Sequence, residues 1–175
     1  LRQWADACRV WPCHLYAFAT PTAAAIDRIA ALAPIVEIGA GTGYWSHLLR
    51  TMHKNISVVA YDKDPPVLQG KVIKPNDYHG KSRAWTTVLR GGPEVAAQHS
   101  SHTLLLCYPP PDNAMALLAL RAYKGNAVCY VGEWQGDTGT RAFEKLLSAE
   151  FRCEERMSLL NWTDTCYSLT VWQRR

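Results

Sequence analysis

The stretch PIVEIGAGTGYWSHLLR, residues 34–50, decides the fold. The short apolar run Ile35–Ile38 ends in glycines at alternate positions, Gly39, Gly41 and Gly43. The residues that follow, YWSHLLRTMHK, read as a helix with Tyr44, Trp45, Leu48, Leu49 and Met52 on one side. A strand that turns through glycines into a helix lets a ligand touch bare backbone beside unpaired N–H groups. In open α/β sheets such a turn lies beyond the carboxyl ends of the strands, where the strand order reverses. The spacing is G-x-G-x-G. Dinucleotide sites require G-x-G-x-x-G, and Tyr44 stands where their third glycine belongs. The acid Glu37, two places before Gly39, repels a phosphate and suits a ligand bearing a cationic group.

Outward from this stretch, strands and helices alternate. TPTAAAIDRIAALAP predicts a helix with Thr20 as N-cap, Pro21 in its first turn and Pro34 as its stop. ISVVAYD (residues 56–62) reads as the second strand and AWTTVLRGG as the third, joined by a long Pro-, Lys- and Asp-rich connection. PEVAAQH reads as one or two helical turns, and HTLLLCYPPP as a buried strand stopped by prolines. DNAMALLALRAYKG is a helix capped by Asp112 or Asn113 and ended by Gly125. NAVCYVGEW is a fifth strand, and TGTRAFEKLLSAEF a helix burying Phe143, Leu146, Leu147 and Phe151. Two strands, near Cys153–Leu160 and Cys166–Gln173, are joined closely enough to pair antiparallel. Apolar strands alternating with amphipathic helices indicate a mostly parallel sheet covered on both faces.

Bulk properties restrict the classes. The 175 residues suffice for one domain with a real core. Hydrophobic residues make up 48% and charged residues 19%, a globular composition. The net charge of +4 permits an acidic or nucleic-acid partner without demanding one. No apolar run is long enough for a membrane span, so no membrane partner is expected. The six cysteines form no C-x-x-C pair, which argues against a zinc site; they read as reduced thiols of an intracellular protein, cytoplasmic or mitochondrial. Residues 1–19, with Trp4, Trp11, Tyr16 and Phe18, are expected to form an extension packing on a domain that spans residues 20–175.

EIGAGTG, followed by an acid at the end of the next strand (Asp62 of VVAYDKDP), resembles the class I S-adenosylmethionine-dependent methyltransferases. The resemblance covers about residues 20–175. YAFATPT, VEIGAGTGYW, VLRGGPEV, LLLCYPPP and YVGEW also look similar to a methyltransferase-like group without an assigned substrate. The implied fold is Rossmann-like α/β, a mostly parallel seven-stranded sheet with an antiparallel C-terminal strand and helices on both faces. The implied cofactor is S-adenosylmethionine, which carries an α-ammonium and a sulfonium and no phosphate. Its binding residues by this resemblance are Glu37, Gly39, Ala40, Gly41, Gly43, Asp62, Leu89, Tyr108 and Pro109, with Asp62 accepting from the ribose hydroxyls. No acid or amide follows the third strand, so adenine would rest on backbone and apolar contacts near Leu89–Gly92. Amino-methyltransferases of this superfamily carry Asp or Asn, two prolines and an aromatic residue after the fourth strand. Here Tyr108 replaces the Asp or Asn and Pro111 the aromatic, which argues against methylation of amino groups on bases or glutamine.

Methyl transfer needs alignment above all, and a base only where the acceptor loses its proton early. Tyr108 and Glu133 are the candidate catalytic residues, with Trp134, Asn76, Tyr78 and His79 nearby in the pattern. His79 reads as a surface-loop histidine and Trp45 as a core residue; Tyr16 and Pro21 are candidates for a lid. Two function classes follow. The first is an active methyltransferase of unknown acceptor, a small molecule, a protein or RNA, for which RNA or a protein complex is a candidate partner. The second is an inactive methyltransferase fold serving as an assembly subunit of a ribonucleoprotein, which predicts a crevice filled by the protein itself.

Overall fold

The computed structural model describes residues 6–71 and 74–175; Trp4 lies outside them. A single sheet of seven strands runs in the order β3-β2-β1-β4-β5-β7-β6. The strands are β1 Ile35–Ile38, β2 Val58–Asp62, β3 Leu89–Arg90, β4 Thr103–Cys107, β5 Ala127–Gly132, β6 Phe151–Ser158 and β7 Ser168–Arg174. β1 pairs in parallel with β2 on one side and β4 on the other, which makes the β1/β4 junction the point of reversal. β7 inserts antiparallel between β5 and β6. This is the Rossmann-like α/β sheet expected from the alternating pattern.

Period-two alternation sends neighbouring side chains to opposite faces. Ile35, Leu105, Cys129 and Val131 join one apolar cluster with α2 (Ala23–Ala30) and α3 (Tyr44–Met52). Val36, Leu104, Leu106, Val128 and Tyr130 join the other with α4 (Met115–Ala122) and α5 (Arg141–Glu150). A short helix α1, Trp11–Leu15, follows a π-helical turn at Asp6–Val10. None of the described helices is long and apolar enough to cross a membrane.

Several local expectations shift. The N-cap of α2 is Thr22, whose hydroxyl accepts from the Ala25 N–H at 3.2 Å. Thr20 is drawn away to Tyr167: its N–H donates to the phenol oxygen at 3.1 Å, and the phenol donates to Thr20 Oγ1 at 3.0 Å. Nearby, the Trp162 indole donates to the Phe18 carbonyl at 3.2 Å. Thr22→Ala is therefore expected to cost about 1 kcal/mol and lower Tm by about 2–4 °C in a thermal melt, whereas Thr20→Ala leaves α2 capped. The third strand shrinks to Leu89–Arg90 because the residues before it bond elsewhere. Trp85 N–H donates to the Thr42 carbonyl at 2.8 Å, and Thr86 Oγ1 takes a hydrogen bond from Arg50. Helix α4 stops before Gly125, where the Tyr123 phenol donates to the Ala127 carbonyl at 2.8 Å. In α3, Met52 is exposed and Ser46 is buried in its stead, because Ser46 meets Glu37 beneath the helix.

Candidate functional site

The glycine turn after β1 is held from β2. Gly39 N–H and Ala40 N–H both donate to the Tyr61 carbonyl at 2.9 Å, and Gly41 N–H donates to Asp62 Oδ2 at 2.9 Å. Gly39 and Gly41 have φ of +74° and +53°, in the left-handed region where a Cβ is strained. A Cβ on Gly39 would also lie 2.7 Å from Met115 Cε. The motif is thus a device for bringing bare main chain to the edge of the sheet. Asp62, buried, completes it: its Oδ1 accepts from Asp64 N–H at 2.9 Å and from Asn76 Nδ2 at 3.4 Å.

Above this turn lies an open cavity of about 420 Å³, within the roughly 300–1,000 Å³ range of small-molecule sites. Glu37, Gly39, Ala40, Gly41, Asp62, Tyr108 and Pro109, all named from the sequence, line it together. The other residues expected to bind cofactor or act in catalysis, Gly43, Leu89 and Glu133, do not. Gly43 is outside the lining; at φ +71° it starts α3, packed where a Cβ would meet Val88 Cγ2 at 2.7 Å. Leu89 is on the surface, 44% exposed, and its place beside the cavity is taken by Gly91, Gly92 and Pro93. Glu133 sits behind Tyr108. Its Oε1 accepts from the Tyr108 hydroxyl at 3.5 Å and from Cys166 N–H at 3.2 Å, and its own N–H donates to Thr138 Oγ1 at 2.6 Å. Trp134 stacks on Trp172 with centroids 5.0 Å apart, outside the lining, and Pro21 is also outside it.

Glu37 points from β1 toward the start of α3. Ser46 Oγ donates to its Oε2 at 2.5 Å. Burial pushes its pKa up to about 7, against the smaller opposing pull of Ser46 and Arg50 and with a small further push from Asp62. The acid read as a fixed negative charge is therefore half protonated near neutrality. Trp45 also lines the cavity; its indole N–H is buried and meets no acceptor among the described residues.

Tyr108 has φ +49° and donates its N–H to the Val131 carbonyl at 2.7 Å. Burial first, and Glu133 second, raise its phenol to about 12. Phe18 stacks on it with centroids 6.0 Å apart at 20°. His79 is buried, contrary to the surface position read from NDYHG. Asn76 Oδ1 accepts from the N–H groups of Tyr78 and His79 at 2.9 and 3.1 Å, and this turn tips the imidazole inward over Gly41. His79 Nδ1 donates to the His14 carbonyl at 3.0 Å, which leaves Nε2 as the acceptor nitrogen. Burial lowers its pKa, so the ring is neutral at pH 7. Phe18, Met115 and Leu118 line the cavity and were not singled out as site residues. Each arrives from an element distant in sequence from the glycine turn, and apolar residues on predicted helices carry no local mark of a binding role.

No protein-family model and no curated protein sequence matches the chain. Solved structures do. The magnesium protoporphyrin IX methyltransferase ChlM of Synechocystis PCC 6803, solved with bound SAM, aligns at a TM-score of 0.50 and 11% identity over 87% of this chain and 77% of that one. TrmK of M. capricolum, solved with S-adenosyl-homocysteine, aligns at 0.50 and 12% over 86% and 67%. Sp1610 of Streptococcus pneumoniae, a proposed tRNA (m1A22) methyltransferase, aligns at 0.53 and 9% over 89% and 71%. At these identities the likeness shows the fold alone, a Rossmann-like α/β sheet that these methyltransferases share.

Proposed function

We propose that this chain, built on the class I methyltransferase fold, binds S-adenosylmethionine in the cavity over its glycine turn and is a methyltransferase. The observation that carries this reading is the open cavity at the β1/β4 reversal, floored by left-handed glycines that Asp62 ties to the neighbouring strand. When bound, the cofactor supplies an electrophilic methyl group on a sulfonium. The chain's residues suit its parts. Asp62 offers carboxylate oxygen to ribose hydroxyls. Gly91–Pro93, Met115 and Leu118 offer adenine an apolar wing without a charged side chain. Glu37 suits an ammonium, and the unpartnered Trp45 N–H suits an oxygen acceptor. The Tyr108 and Phe18 rings form an aromatic wall fit for a sulfonium. The inactive-subunit reading requires a cavity filled by the protein itself, and among the described residues no side chain fills it. Among the acceptors to be tested, RNA has the support of one fold neighbour, Sp1610, through its proposed activity.

Calorimetric titration with S-adenosylmethionine and S-adenosylhomocysteine tests this reading. Saturable heat is expected from both, and folded protein giving none at millimolar ligand sinks it.

The pH dependence has a definite sign. Glu37 has a folded pKa of about 7, above its ordinary value of 4.5. The folded protein then holds a proton that the unfolded chain has lost, so Glu37 lowers stability progressively as pH rises from about 4.5 to about 7. A ligand ammonium favours the carboxylate, and binding below neutrality must expel that proton. Affinity for S-adenosylmethionine is expected to rise with pH, by up to about tenfold per unit, and to level off above about pH 7. Calorimetry in buffers of different ionisation enthalpy reads the released proton directly. Glu37→Gln flattens the profile; an unchanged slope in that variant assigns the proton elsewhere.

A further inference from the structure

One rim of the cavity is built from side chains that the cofactor reading leaves unused. Helix α1 presents Trp11, 66% exposed, and Leu15, 47% exposed. The Leu15 carbonyl accepts from the Trp85 indole at 2.7 Å, and Trp85 stacks on Tyr16 with centroids 5.1 Å apart at 20°. Tyr16 belongs to both places, since it also lines the cavity. The aromatic surface therefore runs without a break from open solvent into the site.

The same rim is basic. The segment His79–Trp85 meets the end of α1 at both of its own ends, His79 at the His14 carbonyl and Trp85 at the Leu15 carbonyl. Between them stand Lys81 and Arg83, both exposed. Arg9, just before α1, is exposed as well. None of the three is in an ion pair among the described residues. Acids are scarce here: residues 7–16 contain none, and the single acid between Asn76 and Trp85 is Asp77, which Lys63 holds at 2.7 Å.

Exposed rings interleaved with exposed cations that have no ion-pair partner among the described residues match a flexible polyanion carrying flat apolar groups. Rings accept any base by stacking, and the cations meet successive phosphates. An apolar protein surface would leave the cations unpaired, and a duplex would keep its bases out of reach. We propose that the rim formed by Trp11, Trp85, Lys81, Arg83 and Arg9 is the docking face for a single-stranded polynucleotide, which carries the methyl acceptor to the cavity. This deepens the methyltransferase reading and rests on it for the fate of the docked strand. Tyr108, standing where amino-methyltransferases hold an amide or carboxylate, favours a ring nitrogen or a hydroxyl as the target over an exocyclic amine.

The test is fluorescence anisotropy of the full chain with labelled single strands of about 15 nucleotides, one RNA and one DNA of the same sequence, from about 50 to about 200 mM salt. Saturable binding that weakens with salt is expected. Trp11→Ala should weaken it about tenfold, since stacking contributes about 1–3 kcal/mol per base. Arg83→Glu should weaken it by a similar factor and flatten the salt slope. Trp11 and Arg83 lie outside the cavity lining, so calorimetry with S-adenosylmethionine should be unchanged in both variants and reports that they fold. Tighter RNA than DNA binding identifies the strand as RNA, and the reverse as DNA; either supports the proposal. Failure of both strands to bind a protein that still takes up S-adenosylmethionine overturns it, as does binding that both substitutions leave within twofold. Strand binding without cofactor binding upholds this face and removes the methyltransferase reading instead.

Discussion

Gly41→Val is expected to abolish measurable binding of S-adenosylmethionine, a loss of more than about 100-fold, in a protein that keeps its sheet. Two independent causes act at this residue. Its φ of +53° is strained for any L side chain, most of all a β-branched one. The space is also taken: a Cβ would sit 2.6 Å from His79 Cδ2 and closer still to Nε2. The imidazole cannot retreat freely, because its Nδ1 is held by the His14 carbonyl and Phe18 stands against its face with centroids 5.5 Å apart. The turn must move, and its bond to Asp62 goes with it. A second substitution, His79→Ala, removes the clash while leaving φ unchanged. The double variant should recover part of the affinity; no recovery would assign the whole loss to the backbone. Calorimetry gives the affinity, and circular dichroism shows whether the sheet is retained.

Asp62→Ala carries the other large effect. This carboxylate accepts from Gly41 N–H, Asp64 N–H and Asn76 Nδ2, and it is buried. Removing it leaves the buried Gly41 N–H without its acceptor and frees the half-buried Asp64 N–H. A buried donor without a partner costs about 1–3 kcal/mol, so roughly 2 kcal/mol of stability is expected to go, with Tm about 4–8 °C lower. The glycine turn also loses its tie to β2, and the ligand loses the acceptor proposed for its ribose. Binding should fall by more than about 100-fold, to beyond what calorimetry reads. Asp62→Asn separates the two roles. It keeps the shape, but a single amide oxygen cannot serve both N–H groups, so an intermediate Tm with equally poor binding is expected. Near-normal binding by Asp62→Asn would show that the ligand does not use this side chain.

The parts of the fold legible in the sequence were those written in local pattern. The run Ile35–Ile38, the glycine spacing and the acid at Asp62 located the turn because strand periodicity and positive φ leave direct marks in residue type. The edges of the sheet were less legible. AWTTV has strand composition, yet Trp85 and Thr86 are claimed by Thr42 and Arg50, partners that only the folded chain brings near. Site residues divided the same way. Glu37 was visible as an acid, but its proton was not, since its pKa is set by burial against Ser46 and α3. Glu133 was visible as an acid at a strand end, but its bonds to Cys166 and Thr138 were not, since the loops before β7 and α5 bring those partners from elsewhere in the chain. His79 was misread as a surface residue because the Asn76 turn that tips it inward is decided by hydrogen bonds rather than hydropathy.

The bonds from Thr20 to Tyr167 and from Trp162 to Phe18 join positions 147 and 144 residues apart. Closing loops of that length is slow, and such contacts form late. The residues Phe18–Thr20 before α2 therefore lack their bonds to Trp162 and Tyr167 until the β6–β7 hairpin has docked, although the glycine turn can already be in place. A chain in which β1–β5 have paired before that hairpin docks has its glycine turn in place and its cover incompletely tied, so a ligand added at that stage would meet the floor before the cover. During synthesis, Thr20 and Phe18 would wait on Tyr167 and Trp162, made 147 and 144 residues later.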